Sequence, residues 1–145
     1  MREQTEAKIQ ADFFTWLSQY EKRFPELQLW YSVPNGSHKS PAARSLHKRT
    51  GLKSGVPDTH LPVAKGIHAG LWIEFKSKVG KVSPTQKEWA EKLLVQGHEV
   101  KVCRTWTDAA NATIDYLNLP LKKFPTEKQK DKPLQSGGER RKSCS

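Results

Sequence analysis

A short apolar segment near the middle of the chain, Leu-Trp-Ile-Glu-Phe-Lys at residues 71–76, constrains the fold more than any other. Its aromatic and branched content is typical of a strand, and successive side chains of a strand point to opposite faces. Glu74 and Lys76 are therefore expected to stand side by side on the face that also carries Trp72. Charged groups are costly on so apolar a strand unless something binds them. The segment thus predicts a strand that carries a functional site.

The elements around this strand alternate between helix and strand. Hydrophobic periodicity, proline and glycine positions and capping residues predict the order α-β-α-β-β-α-β-α. The predicted helices span about residues 3–24, 41–50, 84–96 and 108–119, and the predicted strands about 27–33, 56–63, 71–76 and 99–104. A polar turn separates the second and third strands, which are expected to form a hairpin. The order predicts one α/β domain with a mixed central sheet flanked by helices.

The charge of the chain points to a polyanionic partner. Its formal net charge is +10 and its sequence pI about 9.7. After Pro120 the composition becomes polar and basic, and this last part holds about half of the net charge. We therefore expect a folded domain at residues 1–120 and a basic, disordered tail at residues 121–145.

The cysteines and the hydropathy of the sequence indicate where in the cell the protein is located. Cys103 and Cys144 make no disulfide framework, which fits a reducing compartment. No apolar run approaches the ~20 residues that a membrane span needs, and the N-terminus has no apolar signal region. A cytoplasmic location without a membrane partner is expected. The histidines show no metal-ligand spacing, and His60, two residues after Asp58, is interpreted as a surface residue.

Basic residues cluster on both sides of the predicted hairpin. Between Gly36 and Pro57 there are basic side chains and no acid, and two further lysines follow the strand at 71–76. These residues are Lys39, Arg44, Lys48, Arg49, Lys53, Lys78 and Lys81. Such a run is often only a solvated surface. Because it leads directly into the hairpin, we favour a surface that contacts phosphates.

The hairpin itself supplies the groups that phosphodiester cleavage needs. Asp58 and Glu74 lie on its two strands, and carboxylates with a backbone carbonyl such as that of Phe75 suit Mg²⁺ or Mn²⁺. Lys76 shares the face of Glu74, where an ammonium orients water or offsets phosphate charge. The simpler interpretation is a surface Glu-Lys pair and a turn aspartate. The apolar neighbours argue against it, so Asp58, Glu74 and Lys76 predict a metal-dependent catalytic site.

Three further polar residues have two interpretations each. Gln86 ends a capping box that begins at Ser83, so its side chain either caps the helix or points into the site. Glu6 and Gln10 extend the apolar stripe of the first helix, which either marks a site or reflects a frayed first turn with a favourable acid.

These residues also resemble a known family. Pro57-Asp58 followed by Glu74-Phe75-Lys76 matches the short signature of the PD-(D/E)XK nuclease superfamily. The longer segments Gly51–Asp58, Leu71–Lys76 and Gly80–Gln86, with Trp89 and Gly97, resemble the VRR-NUC (virus-type replication-repair nuclease) family, especially its stand-alone phage members. Pro34-Asn35-Gly36 and the Glu6/Gln10 helix are similar too. The resemblance covers about residues 3–118 and implies a PD-(D/E)XK nuclease-like fold.

The resemblance implies a role for each candidate residue. Asp58 and Glu74 would be metal ligands together with the Phe75 carbonyl, and Lys76 would be the catalytic lysine. Gln86 matches the glutamine that follows the lysine in this family, and Glu6 matches an acidic residue that related resolvases place near the metal. No organic cofactor is implied.

The same resemblance implies a substrate and an assembly. Stand-alone members are similar to Holliday-junction resolvases and act as homodimers, which favours an endonuclease for branched DNA, in the host cytoplasm if the chain is phage-encoded. The alternatives are a non-catalytic nucleic-acid-binding protein and a flap or restriction-type nuclease on the same fold. No extra segment is available to read base edges, which disfavours the restriction type.

Overall fold

The computed structural model describes residues 2–34 and 40–126, and within them the strands form one mixed sheet. The strands are β1 (Tyr31–Ser32), β2 (Thr59–Leu61), β3 (Leu71–Phe75) and β4 (Glu99–Cys103). Their spatial order is β1-β2-β3-β4. Strand β2 runs antiparallel to both of its neighbours, β1 and β3, and β3 and β4 are parallel. The predicted hairpin and the predicted mixed sheet are both confirmed.

Four α-helices flank the sheet. They are α1 (Glu6–Tyr20), α2 (Pro41–Arg49), α3 (Pro84–Val95) and α4 (Trp106–Leu117). Each begins at a serine or threonine whose side-chain oxygen accepts a hydrogen bond from a backbone N–H of the first turn. In α2 and α3 proline follows at the first helical position, where its missing N–H costs nothing. The predicted order of elements is therefore confirmed.

The strand predicted at residues 27–33 is mostly wrong. Pro25–Leu29 forms a 3₁₀ helix, and only Tyr31–Ser32 pairs with β2. Proline fixes the backbone angle at the first helical position, and Leu27 and Trp30, three residues apart, both reach the core. Burial at a spacing of three outweighs the strand preference of the aromatic residues. The first helix is likewise shorter than predicted, because it ends at Tyr20 rather than Phe24.

The hydrophobic core lies on one face of the sheet. Leu71, Ile73 and Phe75 of β3 alternate onto this face and are completely buried. The aromatic ring of Phe13 in α1 contacts that of Phe75, with 5.7 Å between their centroids. Ala109 and other buried residues of α4 complete the same cluster. This packing anchors β3, so the side chains on its opposite face have a fixed position.

The opposite face carries an aromatic and histidine cluster next to Glu74. Tyr31, His60 and Trp72 are paired in register across β1, β2 and β3. The His60 ring stacks on Trp72 at 3.8 Å, and its Nδ1 lies 2.7 Å from the Tyr31 hydroxyl. Burial, with a smaller contribution from His98, lowers the pKa of His60 to about 4. The interpretation of His60 as a surface residue is wrong, because its ring stacks on Trp72 of the neighbouring strand.

The first residues of the predicted tail pack against α4. The Asn111 side chain donates to the Phe124 carbonyl at 2.9 Å and accepts from the Phe124 N–H at 2.8 Å. The Phe124 ring meets Trp106 edge to face. Residues 127–145, which include Cys144, lie outside the described part of the chain, as do residues 35–39. Among the helices that are described, none combines the length and apolarity that a membrane crossing requires.

Candidate active site

The hairpin brings the two predicted carboxylates to one place. Asp58 directly precedes β2, and Thr59 pairs with Ile73, so Asp58 lies across from the end of β3 that carries Glu74. The Phe75 N–H donates to Asp58 Oδ2 at 2.7 Å. This bond fixes the Asp58 carboxylate beside the strand and leaves its second oxygen to other partners.

Glu74 is a buried carboxylate with one oxygen unsatisfied. The residue is only 4% exposed. Its Oε1 accepts a hydrogen bond from Gln86 Nε2 at 2.8 Å, whereas Oε2 is buried and has no hydrogen-bond partner among the described residues. Buried polar atoms are nearly always paired, and an unpaired carboxylate oxygen is costly. Such an atom fits a cation that occupies the space beside it.

The surroundings of the two carboxylates raise the pKa of each. Burial, and next the charge of Asp58, raise the pKa of Glu74 to about 8, although Lys76 opposes them. Burial also raises the pKa of Asp58, while the bond from Phe75 acts in the opposite direction. Two negative charges so close repel each other in a partly desolvated site. A divalent cation between them would relieve this repulsion.

The Phe75 carbonyl points toward the same place. The Lys76 N–H bonds to the Cys103 carbonyl of β4 at 3.0 Å. In a trans peptide unit the C=O and N–H point in opposite directions, so the Phe75 carbonyl faces the Asp58 side. Within the described residues, no three His, Cys, Asp or Glu side chains form a metal-binding group on their own. Two carboxylates and one carbonyl nevertheless fit Mg²⁺, which commonly keeps several waters and substrate oxygens as ligands.

Lys76 links Glu74 to the first helix. Its Nζ lies 3.8 Å from Glu74 Oε1 and 3.9 Å from Glu6 Oε1. The Lys76 side chain is 10% exposed and that of Glu6 46%. Thr5 caps α1 directly before Glu6, so the first turn is ordered rather than frayed. The structure thus places Glu6 at the open edge of the site, beyond the lysine.

Gln86 performs both of the functions that its position suggested. Its backbone N–H bonds to Ser83 Oγ, and its side-chain Oε1 accepts from the Ser83 N–H at 2.9 Å. The same side chain donates from Nε2 to Glu74. One amide therefore caps α3 through its oxygen and orients the buried carboxylate through its nitrogen.

A close backbone approach sets the position of α3 relative to the hairpin. Gly55 has a φ of +87°, and a Cβ atom there would lie 2.6 Å from Thr85 Cγ2 and 2.8 Å from the Thr85 carbonyl oxygen. Only glycine permits both the left-handed conformation and this contact. The contact holds the first turn of α3 against the segment that leads into Asp58.

Two site-forming residues carry no motif in the sequence. Arg104, just after β4, donates to the carbonyls of Ser77 and Gly80 at 2.7 Å each. Glu3 accepts from the Val79 N–H at 3.1 Å. Together they fix the loop that connects Lys76 to α3. The sequence carries no signal that pointed to the role of either residue.

The predicted DNA-contacting residues lie on two exposed surfaces. No side chain of α2 is buried, and Arg44, Lys48 and Arg49 on it are exposed, as is Lys53 after it. Lys78 and Lys81 are exposed on the loop that Arg104 holds. Lys39 lies outside the described residues.

Comparison with known proteins agrees with this architecture. Residues 4–106 match the family model described as the VRR-NUC domain. A solved structure described as a VRR_NUC domain protein is 28% identical, with a TM-score of 0.66, over 82% of this chain and 93% of its own. No curated protein matches the chain significantly.

Proposed function

Because the chain belongs to the VRR-NUC family, as its sequence segments predicted, we propose that it is a metal-dependent endonuclease that hydrolyses phosphodiester bonds in branched DNA. Family membership supports a nuclease domain and a DNA substrate. The observation that carries the metal-dependent part is the buried Glu74 carboxylate, which has an unpaired oxygen and lies beside Asp58.

Mg²⁺ or Mn²⁺ fits the donors at the end of the hairpin. Asp58, Glu74 and the Phe75 carbonyl would hold it, and Glu6, at the exposed edge, would be a further ligand. A bound ion of this kind polarises phosphoryl oxygens, lowers the pKa of its water and stabilises the leaving oxygen. The protein supplies hard oxygen donors in a partly desolvated place, where each charge has a larger effect than in water.

The remaining side chains position the reacting groups. The Nζ atom of Lys76 lies 3.8 Å from Glu74 Oε1 and 3.9 Å from Glu6 Oε1. Its ammonium is therefore held beside the space where a phosphate and an attacking water would lie. Gln86 keeps one oxygen of Glu74 occupied, which leaves the other to face the ion. These contacts support a role for both residues in the chemical step.

Substrate binding is assigned to the exposed basic residues. The net charge of +10, with cations on α2 and on the loop after β3, favours a phosphate backbone along both surfaces. A four-way junction offers duplex arms to more than one surface at a time. We therefore favour a junction over a linear duplex as the substrate, in the cytoplasm.

Two copies of the chain are proposed to act together. The last turn of α3 exposes apolar side chains: Leu94 is 54% exposed and Val95 82%. The edge strand β4 exposes Val102 as well. Exposed apolar side chains on a helix and an adjoining edge strand are typical of subunit contacts. Sedimentation of the wild type should give a dimer, and Leu94→Glu with Val95→Glu should give a monomer.

A cleavage panel tests the catalytic assignment. Duplex, flap, fork and four-way junction are incubated with wild type, Lys76→Ala and Lys101→Ala, with Mg²⁺, Mn²⁺ or EDTA. Lys101 is the matched control, since it is an exposed lysine that pairs with Glu99 on β4. We expect cleavage only with a divalent ion, and a loss of about 100-fold or more in Lys76→Ala with binding retained.

The same panel separates the alternatives. A non-catalytic binding protein, which the basic surface alone would support, binds every substrate and cuts none. Preferential cleavage of flaps would replace the junction assignment with a flap nuclease. Equal rates for Lys76→Ala and wild type would contradict the catalytic role of the lysine.

A further inference from the structure

A groove runs beside the carboxylate site, between α1 and the end of β1. It has a volume of about 460 Å³, and its wall includes residues 32–34 and Asp58. The Val33 N–H bonds to the Asp58 carbonyl at 2.7 Å, so the β1 side of the groove is tied to the residue that also belongs to the site. The groove and the site therefore share one wall.

The α1 wall of the groove is a stripe distinct from the one that enters the core. It consists of Ala7, Gln10, Ala11 and Phe14, at the three- and four-residue spacing of one helix face. Ala7 and Ala11 are exposed and short, which leaves the groove its width. Phe14 is half-buried, with its ring edge to face against Phe13, and Gln10 is half-buried as well.

The charge of the lining favours the uncharged part of a nucleotide. Among the lining residues that the structure describes, none is basic, and Asp58 is an acid. The described lining therefore offers no basic side chain to a phosphate in the groove. A sugar and base carry no charge, and an aromatic ring such as Phe14 is a surface on which bases stack without sequence preference. The Gln10 amide both donates and accepts, as a base edge requires.

We propose that this groove binds the sugar and base of one nucleotide adjacent to the scissile phosphate. The inference rests on the proposed nuclease function, because it takes the carboxylate site as the place of the phosphate. The two sugars of a phosphodiester are bonded directly to its bridging oxygens. A groove that shares Asp58 with the site therefore lies where one of the neighbouring nucleosides must go. Its volume lies within the range of pockets that hold small organic groups.

The test fills the groove and removes the base independently. Ala11→Leu and Ala7→Leu each add bulk to the groove. Gln19→Leu is the control, because it introduces a leucine at an exposed position of α1 that lies outside the groove. Each is made in the Lys76→Ala background, so that DNA is bound without being cut. The dissociation constant is measured by fluorescence anisotropy for a fork and for copies that lack a single base at successive positions.

The expected result is position-specific. In the background variant, loss of the base at one position should weaken binding by roughly tenfold, as the loss of a stacked base does. Ala11→Leu should weaken binding of the intact fork by a similar factor and should no longer respond to the base at that position. Ala7→Leu should do the same, and Gln19→Leu should behave as the background. Thermal unfolding midpoints show that each variant is folded.

Other outcomes overturn the inference. Binding that is indifferent to every missing base, or groove variants that retain the same response as Gln19→Leu, would show that no nucleoside occupies the groove. These measurements concern binding, so their result stands whether or not the wild type cuts DNA. Absence of metal-dependent cleavage by the wild type would instead contradict the proposed function.

Discussion

The Gln86 side chain connects the fold to the site, because one amide is shared between a helix cap and a buried carboxylate. The two roles can be separated by mutation. Ser83→Ala removes the capping oxygen and should cost about 1 kcal/mol of stability, with cleavage nearly unchanged. Gln86→Ala keeps the backbone bond to Ser83 Oγ but removes the side-chain half of the capping box and the bond to Glu74. It should therefore also lower the cleavage rate about 10–100-fold, as loss of a group that orients a metal ligand does.

Urea unfolding and single-turnover cleavage measured on both variants check this prediction. Equal loss of cleavage in Ser83→Ala and Gln86→Ala would mean that cleavage responds to the capping of α3 rather than to the bond between Gln86 and Glu74.

Glu74 should make the metal-free protein less stable as the pH rises. Its pKa is raised from 4.5 to about 8 in the folded chain, so between these values the folded state binds more protons than the unfolded state. Stability therefore falls with increasing pH over this window. The pKa of His60 is lowered to about 4, so its contribution to stability rises with increasing pH below pH 6.5. The free energy of unfolding is therefore compared between pH 6.5 and 8, in EDTA.

Glu74→Gln should remove most of that slope, and Mg²⁺ or Mn²⁺ should stabilise the wild type more at pH 8 than at pH 6.5, because the ion takes the deprotonated carboxylate. A slope that persists unchanged in Glu74→Gln would show that the titrating group lies elsewhere.

At the scale of single residues, the sequence predicted those features of the site that depend on residues a few positions apart in the chain. The Glu74-Phe75-Lys76 alternation placed a carboxylate and a lysine on one face, and the capping box located Gln86. Arg104 and Glu3 could not be found this way. Their partners are backbone carbonyls and an N–H of a loop, and a loop backbone has no sequence signature. The burial of His60 depended on register partners in two other strands.

The first turn of α3 is held by a contact between elements, and two glycines allow it to be tested. Gly51 and Gly55 both have positive φ, but only Gly55 lies against Thr85. Gly51→Ala should cost about 1–2 kcal/mol from the backbone conformation alone. Gly55→Ala should cost more, because its Cβ meets the backbone of Thr85 as well as the side chain. It should also lower cleavage, since α3 carries Gln86.

Chemical denaturation and cleavage rates for the two alanine variants give the comparison. If Gly55→Ala lost no more stability and no more activity than Gly51→Ala, the approach of α3 to the hairpin would not position the site.

At the scale of elements, helices with caps were predicted closely and the strand at 27–33 was not. Ser40 and Ser83 mark their helices through hydrogen bonds within four residues, which a sequence shows directly. The 3₁₀ helix at Pro25–Leu29 is decided by the burial of Leu27 and Trp30 in a core that also includes α1 and α4. The strand preference of residues 27–33 does not indicate which of these side chains are buried. The exposure of Leu94 and Val95 on α3 was likewise not evident from the sequence, because it depends on how the helix packs in the fold.

For the whole molecule, packing extends the described domain beyond Pro120, where the composition of the sequence changes. Residues 121–126 include two lysines, yet the Asn111 side chain bonds to both backbone groups of Phe124, and the Phe124 ring packs on Trp106. A truncation meant to remove only the tail should therefore end at Thr126. A truncation after Pro120 also removes Phe124 from the domain and should lower the unfolding temperature.

The shorter truncation tests what the tail contributes to binding. Residues 127–145 hold six Lys or Arg and three Asp or Glu, so their deletion removes net positive charge without changing the hairpin. Contacts between such a segment and phosphates depend on charge and not on DNA shape. The variant that ends at Thr126 should bind duplex, fork and four-way junction more weakly by the same factor. The slope of log affinity against log salt should become shallower, with the cleavage preference unchanged. A loss confined to the four-way junction would instead assign the tail to substrate recognition.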